Sequence, residues 1–102
     1  MSRREQLEAM LADSPEDTFL RYALAMEWSS EGDDEKSVEI FRALMGDTPP
    51  YVPAFFMCGQ SLVRLDRNDE AKTVLTEGID QARQQNDMHA AGEMTEFLAS
   101  IE

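Results

Sequence analysis

The stretch Leu24-Ala25-x-x-Trp28-x-x-x-Gly32-Asp33-x-x-x-Ser37-x-x-x-Phe41-x-x-Leu44-x-x-x-x-Pro49 decides the fold. Apolar residues three and four apart on either side of Gly32 predict two amphipathic helices. Gly32 is suited to the left-handed conformation that closes the first helix, and Asp33 or Asp34 to capping the second. A turn this short makes the two helices antiparallel neighbours. The pattern then returns. Sliding the chain by 34 positions lays Leu24 on Cys58, Ala25 on Gly59, Trp28 on Leu62, Gly32 on Asp66, Ser37 on Ala71 and Phe41 on Leu75. Small residues recur where helices must approach closely, and bulky ones recur where they interlock. A fixed period of this size is the mark of stacked helical repeats.

The same register extends in both directions. Leu7, Met10 and Leu11 predict a helix near 3–12 and fall on Phe41, Leu44 and Met45, so it corresponds to the second helix of a unit whose first helix is absent. Ser14 as N-cap, Pro15 at the first helical position and the acidic Glu16 and Asp17 predict a helix starting there and running to about Glu31. The next helix, near 34–46, ends at Gly46 and the Pro49-Pro50 pair. From Tyr51 onward, Ala54, Phe55, Phe56, Cys58, Leu62 and Val63 would read as a buried strand by hydrophobicity alone, but the register selects a helix. Asp66 to Asp69 is the expected turn. Ala71, Val74, Leu75, Ile79 and Ala82 then form the partner helix, with Gly78 at a close-packing position. Beyond Asp87 the stripe Met88, Ala91, Met94, Leu98, Ile101 predicts a closing helix. There Glu93 and Glu96 replace small and apolar residues, giving the polar face that ends a stack. The expectation is one all-α domain over 1–102: a half unit at about 3–17, full units at 18–51 and 52–85, and a capping helix at 87–101.

Hydrophobic residues make up 42% of the 102, enough for a modest core. The formal net charge of −12 would repel nucleic acid and anionic membrane surfaces; it either keeps a small protein soluble or favours a basic protein segment as partner. No stretch approaches the length of a membrane span, and the amino terminus lacks the apolar run of a secretory signal. The single cysteine, Cys58, cannot form an internal disulfide, and the cytoplasm is the expected location.

Catalytic chemistry finds little support. His89 is the only histidine, and no serine, cysteine or acidic partner stands at a recognisable spacing from it or from Cys58. The carboxylates at Glu31, Asp33, Asp34 and Glu35, and again at Asp66, Asp69 and Glu70, lack calcium-loop spacing and read as helix caps. Phosphate loops and zinc-ligand pairs are missing, so neither enzyme activity nor a cofactor or metal is expected.

These residues together resemble the tetratricopeptide repeat family. Leu24, Ala25, Trp28, Gly32, Ser37, Phe41, Leu44 and Pro49 fill its signature places in the first full unit. Phe55, Gly59, Leu62, Ala71, Leu75 and Gly78 do so in the second, where Asp66 replaces the turn glycine and Arg83 the closing proline. The overall plan is similar to small stand-alone bacterial members. The resemblance implies a right-handed superhelix of antiparallel helix pairs whose first helices line a groove for peptides. Members that grip acidic chaperone tails use lysine, arginine and asparagine, whereas the matching positions here are Tyr22, Met26, Met57, Asp87 and Ala91, which removes that partner from the leading expectations. First-helix residues outside the signature are the candidate protein-binding groove: Phe19, Tyr22, Met26, Phe56, Gln60 and Val63. Either they line an open groove, or the closing helix folds over them. The expected function is a scaffold that binds a peptide or protein segment. The alternative is a homodimer joined through an apolar edge at Leu7, Met10 and Leu11.

Overall fold

A computed structural model covers residues 1–102 and contains six helices and no strand. They are α1 (Arg3–Asp13), α2 (Thr18–Ser30), α3 (Asp34–Met45), α4 (Val52–Arg64), α5 (Asn68–Gln84) and α6 (Met88–Ile101). Each helix packs on the next, and α4 also touches α6. The body measures 40 × 29 × 18 Å, a slab about two helices thick, as expected for a stack of antiparallel pairs. The architecture is the expected all-α helical-repeat superhelix.

One turn is used three times. Asp33 N–H reaches Trp28 O at 2.9 Å, Arg67 N–H reaches Leu62 O at 2.8 Å, and Asp87 N–H reaches Ala82 O at 2.7 Å. This six-to-one closure needs a left-handed residue just before the donor. Gly32 (φ 86), Asp66 (φ 60) and Asn86 (φ 64) supply it. Asp66 thus holds a glycine's conformation, at a cost of about 1 kcal/mol.

Side chains fix the helix starts. Ser2 and Glu5 form a reciprocal capping box on α1, while Asp17, Asp33 and Asp87 accept from Leu20, Lys36 and Ala90 N–H at 2.9, 3.2 and 3.1 Å. Each such cap contributes about 1 kcal/mol. The expected start at Ser14-Pro15 is corrected. Ser14 instead ends α1, donating its N–H to Met10 O, and α2 begins at Thr18 under the Asp17 cap. The register explains the choice, since Asp17 lies one period before Tyr51, the N-cap of α4. The turn expected at 66–69 is also shorter, because α5 already starts at Asn68.

The core runs through the interior of the stack, where Phe41, Leu44, Leu62, Leu75 and Met94 are fully buried. Each contributes about 1.5–3 kcal/mol by leaving water. Close approach is enforced at two glycines. A Cβ on Gly59 would lie 2.8 Å from the Leu75 side chain, and one on Gly78 would lie 2.5 Å from Phe55 Cβ and 2.7 Å from Met94 Sδ. In the first unit Ser37 donates its hydroxyl to Ala25 O at 2.7 Å, satisfying a polar group inside the core.

Candidate functional site: an apolar cleft between the first helices

The helices α2, α4 and α6 are the first members of their units. At one position of each, 34 residues apart, stand Tyr22, Phe56 and Ala90. The first two carry rings and the third carries a methyl group. The volume a third ring would fill is an open cleft of about 260 Å³, lined by Tyr22, Phe56, Met57, Ala90 and Met94, with Asp87, His89 and Glu93 at its edge.

Its walls are held from behind. Tyr22 lies 5.9 Å from the Phe41 ring and meets Tyr51 edge-on at 5.3 Å. Burial, followed by the nearby Tyr51 phenol, pushes the Tyr22 hydroxyl above the ordinary tyrosine range, so it stays protonated and able to donate a hydrogen bond. Phe56 meets Phe97 of α6 edge-on at 5.7 Å. The closing helix therefore covers part of Phe56 and leaves the cleft beside it open. Asp87 is partly engaged as the cap of α6, and Glu93 faces only His89, at 3.5 Å.

The other sequence-predicted groove residues lie elsewhere. Phe19 (72% exposed) and Met26 (37%) stand two turns apart on one face of α2, outside the cleft. Gln60 leans on Met57 Sδ at 3.7 Å, and Val63 packs half-buried against the core. The self-association edge is also divided. Leu7 is 4% exposed and belongs to the fold, whereas Met10 is 52% exposed. Leu11 is half-buried and lines a separate, outer depression of about 390 Å³ with Leu24, Ile40 and Ala43. Sequence reasoning missed Ala90, Met94 and Phe97. One more step of the period from Phe56 would have found Ala90.

No lysine or arginine lines the cleft, and most basic side chains are engaged in ion pairs elsewhere. Of nine lysines and arginines, six arginines are bound internally: Arg3, Arg4, Arg21, Arg42, Arg64 and Arg67. Arg64 ties three helices together, reaching Asp34 at 3.0 Å, Ser29 Oγ at 2.7 Å and Ser61 Oγ at 3.1 Å. Burial works to raise the Asp34 carboxyl, but the hydrogen bonds and charge of Arg64 outweigh it and hold the group below its usual range. Arg4 and Lys36 lie over the Trp28 ring, at 4.3 and 5.1 Å from its centre.

A larger depression, about 580 Å³, gathers polar loop residues, but its Arg21 and Asp47 already pair at 2.8 Å. No group of three or more histidine, cysteine or acidic side chains is placed to hold a metal. No helix is long and apolar enough to cross a membrane.

No family model matches the chain. It is similar to a TPR repeat-containing protein of Pseudomonas aeruginosa, 26% identical over 98 residues that span 96% of this chain and 93% of that protein. A tetratricopeptide repeat domain protein of Salinibacter ruber, solved by NMR, is 32% identical with a TM-score of 0.80, over 86% of this chain and 89% of that one. A protein of Bordetella parapertussis, 24% identical over 99% of this chain and 88% of its own, shares the fold at a TM-score of 0.85. With the same turn closing α2, α4 and α5, signature residues 34 apart and these relatives, the chain belongs to the tetratricopeptide repeat family.

Proposed function

We propose that this chain is a non-catalytic interaction module that seats one bulky apolar side chain of a peptide or protein segment in the cleft between Tyr22, Phe56 and Ala90. One observation carries the reading: the place of a third ring in the register is empty and lined by apolar groups. A side chain of leucine to phenylalanine size would bury its surface there, which is how interfaces gain their largest single contributions. Glu93 and Asp87 at the edge favour a lysine or arginine beside that anchor in the partner. Phe19, Met26, Gln60 and Val63 are assigned to the flanking contact surface rather than the anchor pocket.

The half unit 3–17, the units 18–51 and 52–85 and the helix 87–101 act in this reading as one binding body. Catalysis is disfavoured chemically. Burial pushes the Cys58 thiol up to about 11, so it is not ionised at neutral pH and is a poor nucleophile. A buried lone thiol suits a reducing compartment, and the cytoplasm is the location we assign.

The test uses peptides selected from a random display library against the wild-type chain, with affinities measured by calorimetry. Phe56→Ala is expected to weaken binding by about 2 kcal/mol. Ala90→Phe, which places a ring in the cleft, should abolish binding without lowering the melting temperature. Unchanged affinity in both variants would overturn the assignment.

A further inference from the structure

Every unit in the interior buries the same facing positions. Ala25 of α2 meets Ser37 of α3, and Gly59 of α4 meets Leu75 of α5, with Ala71 fully buried beside them. Phe55 of α4 lies against Gly78 of α5. Within these 102 residues α6 is a first helix with no second helix after it, and α1 is a second helix with no first helix before it. Advancing the register by 34 carries Gly59 to Glu93 and Phe55 to His89, both on α6. Moving it back carries Ser37 to Arg3, Phe41 to Leu7 and Leu44 to Met10, all on α1.

The two unpaired faces differ from the interior in exposure and in charge. Met10 is 52% exposed where its counterpart Leu44 is 0%. His89, Gly92, Glu93 and Glu96 are exposed where Phe55, Cys58, Gly59 and Leu62 are buried. The small interior pair Ala25 and Ser37 becomes, at the two ends, Glu93 and Arg3, which are opposite charges. Arg3 keeps 64% of its side chain exposed while pairing with Glu27 at 3.4 Å, and Glu93 keeps 49% exposed. Gly92 has open space above it, with nothing within 4 Å of a Cβ placed there.

We propose that copies of this chain associate head to tail, α6 of one against α1 of the next. Glu93 then faces Arg3 of the next copy, and Met10 of that copy covers the open surface around Gly92 and His89. The unpaired first helix and the unpaired second helix complete each other as one unit. Such a contact joins different surfaces and does not close on itself, so it builds open chains rather than a dimer. It is weak for two reasons. Arginine and glutamate hold the helices farther apart than alanine and serine do, and copies of net charge −12 repel at long range.

Sedimentation and light scattering from about 10 µM to about 1 mM, a range that brackets weak association, test the proposal. The mean mass of the wild type should rise with concentration past that of a dimer. Arg3→Glu alone and Glu93→Arg alone should each lower the association constant about tenfold or more, because like charges then face each other. Mixing the two variants in equal amounts should restore it, since each end again meets its opposite. Both positions are exposed, so circular dichroism should show unchanged helix. A wild type that stays monomeric at about 1 mM, a mass that stops at a dimer, or a mixture that fails to regain association would each overturn the proposal. Ala90→Phe should leave the association unchanged, which separates this contact from the cleft.

Discussion

The unit α4–α5 and the end helices α1 and α6 are built on one register and treat it in opposite ways. Between α4 and α5 the shared positions hold Gly59, Ala71, Leu75 and Gly78, all buried, and the helices touch backbone to side chain. At the ends the same positions hold Arg3 and Glu93, and Met10 stands half in water. A signature residue therefore reports packing only where a neighbouring helix is present to pack on. A departure from the signature reports the need to meet water or another molecule. The cleft follows the same logic, because Ala90 is a departure from a run of rings rather than a match.

That contrast breaks first at the glycines. Gly78→Leu would drive its side chain into Phe55 and Met94, and a loss of about 3 kcal/mol or more is expected in chemical denaturation. Gly92→Ala meets nothing within 4 Å on an exposed helical turn and should raise stability by up to about 1 kcal/mol. Equal effects at the two sites would erase the distinction between interior and end.

The junction of α2, α3 and α4 sharpens the contrast through pH. Asp34→Asn should cost about 1 kcal/mol at neutral pH, since the Asp34 side chain is only 12% exposed beside Arg64. The folded-state value of Asp34 lies below its unfolded value. Its stabilisation is thus full above the ordinary aspartate range, near about 4, and is lost as pH falls through the lower folded value. The gap in melting temperature between wild type and Asp34→Asn should close on that side and stay constant from about pH 5 to 8. A gap independent of pH would show that the ion pair contributes nothing.

The smallest expected effect lies in the turns. Asp66→Gly should stabilise by up to about 1 kcal/mol, because it releases a side chain from φ 60 at the place Gly32 holds one period earlier. Thermal unfolding of the variant measures it, and a loss of stability would mean that the Asp66 side chain supports the turn.

The helices were legible in the sequence because two signals agreed, the spacing of three and four and the 34-residue return. Where they disagreed the local one misled. Ser14-Pro15 has the chemistry of a helix start, but Asp17 stands at the repeat's own cap position and holds Leu20 N–H. The candidate groove was legible in part. Tyr22 and Phe56 line the cleft, yet its volume comes from the small side chain at Ala90 and from how far Phe97 reaches from α6 toward Phe56 of α4. Neither the reach of a side chain between units nor the binding of Arg64 to three helices is written in a linear spacing. Leu7 shows the same limit of linear spacing, since α1 packs on α2 and leaves Leu7 only 4% exposed.

In the proposed function, framework and recognition occupy different residues of the same helices. The most direct measurement is backbone and side-chain NMR mapping of the isotope-labelled chain, titrated with a display-selected peptide. The cleft assignment requires the largest shifts to fall on Tyr22, Phe56, Met57, Ala90 and Glu93. Shifts concentrated instead on Leu11, Leu24, Ile40 and Ala43, around the outer depression, would contradict it.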